Sequence, residues 1–336
     1  MLVGTAVGRS AAGSRDDKRM QIRSSRIPTA GSRLPTPGKH HTYLLNPPIW
    51  IGGARRRANG GGKTASSEIS GGARGAEPAR PVGVIGGSGL YQFIGELAEK
   101  GHEMVHTPYG VVECSTGIWS GVPVVFLPRH GEGHGLPPHK VKFKANIWAL
   151  NELGVRQAVG TCAVGTLNDK LKPGTITVPD QLIDLTKETR SFFNGGKEGV
   201  RHVDMSEPFC PVLRDVARDT AVELGLELRT GGTYICFSGP TFETAAEIRM
   251  ARLLGADIVG MTLAPEAKLS REMGICYLPL CMPVNWAAGI TREMLTHRQT
   301  LEGVNLMKGD IVRLMRFSIE RFPRERDCPC ARAVQA

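Results

Sequence analysis

From Pro81 onward, short apolar runs alternate with segments of helical period, and that alternation restricts the chain to an α/β architecture. Residues 82–85 and 123–127 read as short buried strands. A helix follows over 144–153, with apolar positions 147, 150 and 153 on one side and Gly154 as its stop. The next strand runs to Ala163 and Val164 and is expected to break at Gly165. Residues 175–178 and 232–236 are further strand candidates, and Thr241 is placed to cap a helix reaching Leu254. Residues 256–261, a helix around 266–273 and the run 275–284 continue the pattern. A last helix begins at Thr296, whose Thr-x-x-Gln299 spacing is a capping box, and extends to Arg321. The expected fold is a single α/β domain over 81–323, with a central mixed β-sheet flanked by helices.

Charge separates this body from what precedes it. The chain is formally +10, yet residues 1–80 hold 14 Lys/Arg against 4 Asp/Glu, while residues 81–336 hold 28 of each. The body is therefore neutral, which together with the lack of a nucleic-acid module argues against nucleic-acid binding. Residues 1–80 are rich in Arg, Gly, Ser, Ala and Pro with no sustained period, and are expected to form a disordered basic leader. An organelle transit peptide and an over-extended start remain alternatives. No apolar run approaches the length of a membrane span. Eight cysteines are scattered without C-x-x-C or Cys/His ligand spacing, so no metal site is expected, and a cytoplasmic setting is the default. Cys328-Pro329-Cys330 falls in a polar stretch, 324–336, expected to be a disordered tail with free thiols.

Ligands of α/β sheets bind at the carboxyl ends of strands. The polar residues Ser88, Arg129, His130, Thr262 and Asn285, with Cys162, Ala163 and Met261, all follow apolar strand-like runs. The loop Gly86-Gly87-Ser88-Gly89 offers backbone N–H groups and a hydroxyl to an oxyanion, although a plain tight turn fits it too. It is not a dinucleotide fingerprint, because Gln92 stands where that pattern needs glycine. Arg129 at a strand end suits bidentate contact with phosphate, or an ordinary surface position. His130, His134 and His139 lie in a glycine-rich stretch whose spacing reads as an active-site loop rather than a metal box.

Five separated motifs then occur in order: Ile85-Gly86-Gly87-Ser88-Gly89-Leu90, Pro128-Arg129-His130-Gly131, Ala145-Asn146-Ile147-Trp148-Ala149-Leu150, the stretch from Ser238 through Pro240, Phe242 and Glu243 to Thr244, and Gly260-Met261-Thr262 with Pro265-Glu266. Through these, residues 82–320 resemble the trimeric purine nucleoside phosphorylase and methylthioadenosine phosphorylase family. The resemblance implies a phosphate cradle of Ser88, Arg129, His130, the Ala163 backbone and Thr262. It implies that Phe242 packs on the purine face and that Met261 lies beneath the ribose. Family members commonly carry Thr or Asn where this chain has Cys162, so a side-chain contact to phosphate there is weakened. Inorganic phosphate is a co-substrate and no cofactor is implied. A homotrimer, or a homohexamer, is implied as well, with the stretch around Phe192 and Phe193 reaching a neighbour's sugar site.

Base choice follows from hydrogen-bond polarity. A 6-oxopurine presents N1–H as donor and O6 as acceptor, and a 6-aminopurine reverses both. Adenine-type relatives place Asp at the positions of Asn285 and Ala287. Here Asn285 is suited to donate to O6 and accept from a protonated N7, while Glu243 accepts from N1–H. Asn285, Glu243 and His130 are thus the expected catalytic residues. His297 resembles the histidine that meets a ribose 5′-hydroxyl, which favours inosine and guanosine. The Arg129–Gly131 and Asn146–Leu150 stretches stand closer to the methylthio branch, which keeps methylthioinosine and methylthioadenosine as alternatives. The expected activity is phosphorolysis of 6-oxopurine nucleosides in purine salvage.

Overall fold

The computed structural model describes residues 79–87, 95–131, 133, 135–195 and 199–335. Most of the basic leader, Ser88 and His134 lie outside the described residues. In chain order the elements begin with β1 (Val82–Gly86), β2 (Ala98–Thr107), β3 (Gly110–Trp119), β4 (Val122–Pro128), α1 (Phe143–Glu152) and β5 (Gln157–Thr166). Next come β6 (Ile176–Val178), β7 (Gln181–Asp184), β8 (His202–Val203), α2 (Pro211–Leu224), β9 (Leu228–Thr230) and β10 (Thr233–Cys236). The chain continues through α3 (Ala245–Leu253), β11 (Ile258–Gly260), α4 (Leu263–Glu272), β12 (Cys276–Trp286), α5 (His297–Glu320) and β13 (Val334–Gln335).

The main sheet is mixed, in the order β2-β3-β4-β1-β5-β11-β10-β7, and β12, β6 and β9 branch from it at β5. Period-2 alternation places each strand's side chains on two cores. Val82, Val84, Val124, Phe126, Leu278, Leu280 and Met282 pack against α2 and α5. Ile85, Val125, Leu127, Ala158, Tyr277 and Cys281 face α1 and α4. The sheet is therefore covered on both faces, as its near-continuous apolar strands require.

The branch at β5 makes the site. β12 runs parallel to β5 along Gln157–Thr166. The other edge pairs with β1 over residues 157–160 and with β11 at 165–166. Between those two partners, residues 161–164 have no strand on that edge among the described residues. Their backbone groups are left to side chains and ligands instead.

Three expectations are corrected. Gly165 does not break its strand: β5 continues to Thr166, held on both edges by β11 and β12. The cap of α3 is Thr244 rather than Thr241, because Thr244 forms a reciprocal capping box with Glu247 and leaves residues 239–243 outside the helix. Residues 324–335 fold back onto the body instead of forming a disordered tail. Cys328, Cys330 and Ala333 are buried there, and β13 pairs antiparallel with β8. Cysteine and alanine side chains cover apolar surface despite the polarity of the stretch as a whole. The hairpin of β2 and β3 gave no sequence signal, since β2 is almost wholly exposed and lacks an apolar face.

Candidate active site

A cavity of about 480 Å³ opens at the β5 gap. Its wall carries Arg129, His130, Cys162, Ala163, Phe242, Glu243, Met261, Thr262, Asn285 and His297. Every site residue expected from sequence is brought together here except Ser88, which lies outside the described residues.

Arg129 follows β4 and is almost completely buried. Its Nε donates to Glu266 Oε1 at 2.5 Å, its Nη2 to Glu266 Oε2 at 2.8 Å, and its Nη1 to the Thr161 carbonyl at 2.6 Å. Burial opposes the guanidinium charge, but the Glu266 carboxylate outweighs it and holds the pKa above its ordinary value. Tyr277 Oη completes the set by donating to Glu266 Oε2 at 2.5 Å. Arginine has five N–H groups, so one hydrogen on each terminal nitrogen is left over after these contacts. Arg129 is thus a rigidly held cation beside the cavity rather than a surface arginine.

The glycine loop enters from β1. Gly87 N donates to Thr161 Oγ1 at 3.2 Å. A Cβ at this position would stand 2.8 Å from Arg129 Nη1 and 3.0 Å from the Thr161 carbonyl, so only glycine fits beside the guanidinium. On the far side Thr262 precedes α4, and the Thr262 and Leu263 amides donate to Tyr234 Oη at 3.2 and 3.4 Å. Thr262 Oγ1 lies 3.5 Å from Cys162 Sγ, whose thiol is pushed up by burial and stays neutral. His130 Nδ1 lies 2.8 Å from the Leu136 carbonyl, which places the proton of the neutral ring on Nδ1.

Opposite this cationic end the wall combines apolar side chains with a carboxyl and an amide. Phe242, about 40% exposed, and Met261 supply apolar surface. Gly239, at φ 62°, lets Met261 approach: a Cβ there would stand 2.4 Å from its sulfur. Glu243 is buried, and its Oε1 has no hydrogen-bond partner among the described residues. Burial, reinforced by nearby Glu247, pushes its carboxyl up to about 7. Asn285 sits past a bulge in β12 between Pro283 and Asn285 and donates through Nδ2 to the Trp286 carbonyl at 2.8 Å. That bond fixes the amide orientation and leaves its second N–H and its carbonyl available. His297 opens α5 just after its cap, Thr296, and is exposed at the mouth.

Residues 81–317 match the phosphorylase superfamily. The chain belongs to that superfamily. It is 45% identical over 260 residues to the 6-oxopurine nucleoside phosphorylase of Pyrococcus furiosus, covering 76% of this chain and 97% of that one. It is 44% identical over 253 residues to the S-methyl-5′-thioadenosine phosphorylase of Pyrococcus abyssi, covering 74% and 96%. Among solved structures, a methylthioadenosine phosphorylase from an Antarctic soil metagenomic library superposes with a TM-score of 0.70 at 34% identity, covering 76% of this chain and 91% of that one.

Sequence reasoning missed the support around this phosphorylase's arginine. Glu266 was legible only as part of a motif, and Tyr277, Tyr234 and Thr161 gave no signal, because each looks like an ordinary apolar-run residue until the strands are stacked. Within the stretch around Phe192 and Phe193, Phe192 is buried in its own chain's core. Its ring packs 5.5 Å from Tyr109 and 5.7 Å from Trp148, centroid to centroid.

Proposed function

We propose that this phosphorylase cleaves 6-oxopurine nucleosides, inosine and guanosine, with inorganic phosphate, giving the free base and ribose 1-phosphate for purine salvage. The observation that carries this reading is the buried, unpartnered Oε1 of Glu243 on the cavity wall. A buried acceptor without a donor costs about 1–3 kcal/mol, and the N1–H of a 6-oxopurine supplies that donor. Once that carboxyl is ionised, above about pH 7, a 6-aminopurine would set its own N1 lone pair against it.

In this reading phosphate rests between Arg129, His130, Thr262, the Ala163 backbone and Ser88. The remaining guanidinium hydrogens and the loop amides hold it beside C1′, which makes the attack local. As the glycosidic bond breaks, positive charge grows on the sugar and negative charge on the base. Phosphate stabilises the first. Asn285 stabilises the second by donating to O6 and accepting from N7–H once that nitrogen takes a solvent proton. Phe242 stacks on the purine and Met261 underlies the ribose. His297 hydrogen-bonds the 5′-hydroxyl. No cofactor enters these steps.

A methylthio substrate is the second reading. It is favoured by the likeness to S-methyl-5′-thioadenosine phosphorylases at both sequence and structural level. The assembly in this proposal is a homotrimer, with a homohexamer as the alternative. Met294, 80% exposed, adjoins Leu295 on the cavity wall and offers apolar surface for such a neighbour. No helix among the described residues is long and apolar enough to cross a membrane. Unbridged cysteines fit the reducing cytoplasm we assign to it.

The test offers inosine, guanosine, methylthioinosine, adenosine and methylthioadenosine in parallel, with and without phosphate. Phosphate-dependent release of hypoxanthine and guanine, with ribose 1-phosphate formed, is the expected result. Turnover of methylthioinosine alone would keep the base assignment and displace the sugar assignment. Phosphate-independent release would refute phosphorolysis.

A further inference from the structure

Far apart in sequence, Cys210, Cys276, Cys328 and Cys330 converge behind the sheet. All four are buried, and every pair of their sulfurs lies within 4.8 Å. Local spacing gave no hint of this, because only the Cys328-Pro329-Cys330 pair is contiguous. Cys210 is the N-cap of α2, Cys276 opens β12, and Cys328 and Cys330 arrive on the folded-back C-terminal stretch.

We propose that these four cysteines form a tetrathiolate site for a structural zinc ion, which clamps residues 324–335 onto the catalytic body. The geometry supports this in three ways. Zn–S bonds of about 2.3 Å in a tetrahedron put neighbouring sulfurs about 3.8 Å apart, inside the 4.8 Å that bounds every pair here. Cys276 and Cys328 sulfurs stand 3.3 Å apart, beyond bonding distance for a disulfide, and all four cysteines are free. All four ligands are buried, as a closed structural site requires. Surrounding charge is also matched. Binding Zn²⁺ by four thiols releases four protons and leaves a net charge of −2 on the cluster. Arg326 Nη1 lies 3.9 Å from Cys276 Sγ, and Arg271 lies close enough to act electrostatically on Cys330. Cys210 adds the positive end of the α2 helix.

The clamp explains why a short polar stretch is ordered. Its other ties among the described residues include the two-residue pairing of β13 with β8, the Asp204 amide bond to the Ala333 carbonyl, and Arg326 bonds to the Gly274 carbonyl at 2.5 Å and the Arg156 carbonyl at 3.4 Å. A metal bound only in the folded state adds its binding free energy to folding.

The test is metal analysis of the full chain purified under reducing conditions without chelator, alongside Cys328→Ser/Cys330→Ser and Cys114→Ser. One zinc per chain is expected in the parent and in Cys114→Ser, and its loss in the double variant. If the double variant does not fold, cobalt(II) added to reduced, metal-free parent protein decides the question. Sulfur-to-cobalt charge-transfer bands and tetrahedral visible bands are expected. Zinc that survives the double substitution would overturn the proposal. So would four thiols that stay reactive with zinc present, or mass and thiol titration showing two disulfides in their place.

Discussion

Replacing Glu243 by glutamine should stabilise the ligand-free protein above neutral pH while leaving it almost unchanged near pH 4.5. The buried carboxyl is pushed from its ordinary 4.5 up to about 7. In the folded chain it therefore binds its proton more tightly than in the unfolded chain. Its contribution to stability is full below pH 4.5, declines as pH rises, and is gone once pH passes about 7. At about 1.4 kcal/mol per pH unit, the loss across that window is about 3 kcal/mol. Glutamine is uncharged throughout and escapes it. The assay is urea unfolding of both proteins from pH 4.5 to 8 at one protein concentration, with phosphate and nucleoside absent. The stability difference should move by about 3 kcal/mol in favour of Glu243→Gln as pH rises, other titrations cancelling between the two. A difference that stays flat with pH would show that Glu243 is not desolvated, and would remove the main support for its role at N1–H.

Four further outcomes follow from the same geometry. Inosine kcat/KM should fall as pH drops through about 7, and the part of that limb due to Glu243 should vanish in Glu243→Gln, read from paired pH–rate profiles. Asn285→Asp should lower inosine kcat/KM about 10- to 100-fold, since the amide's donation to O6 is replaced by repulsion, and should erode the preference over adenosine; unchanged inosine turnover would refute the Asn285 assignment. Glu266→Ala should cost about 3–5 kcal/mol in denaturant unfolding, because it leaves the Arg129 charge buried and unpaired; phosphate affinity should fall with it, by titration of the folded variant. Gly87→Ala should raise the KM for phosphate while leaving base preference intact, because its methyl would press on Arg129 and Thr161 and not on Glu243 or Asn285.

The sequence carried the fold where residues had to satisfy a period. Val82, Val84 and Ile85 divide between two cores, and the Thr296–Gln299 capping box starts α5 where its spacing said it would. It also carried residues that line the cavity, because Arg129, Thr262 and Asn285 interrupt apolar runs at strand ends. What it did not carry depends on contacts made across long separations. The bond from Arg129 to Glu266 spans 137 residues, and the gap in β5 exists only because β1, β11 and β12 share one strand. Thr241 and Thr244 lie three residues apart and are equal cap candidates by residue type; only the reach of Glu247 back to Thr244 distinguishes them. The cysteine cluster was invisible for the same reason, three separate segments meeting at one point.

The most direct test is the ratio of kcat/KM for inosine to that for adenosine, measured with saturating phosphate on the full chain. Paired hydrogen bonds to the base at Glu243 and Asn285 should place it at about 10² or higher. A ratio near one, or a preference for adenosine or methylthioadenosine, would contradict the reading of both residues and with it the 6-oxopurine assignment.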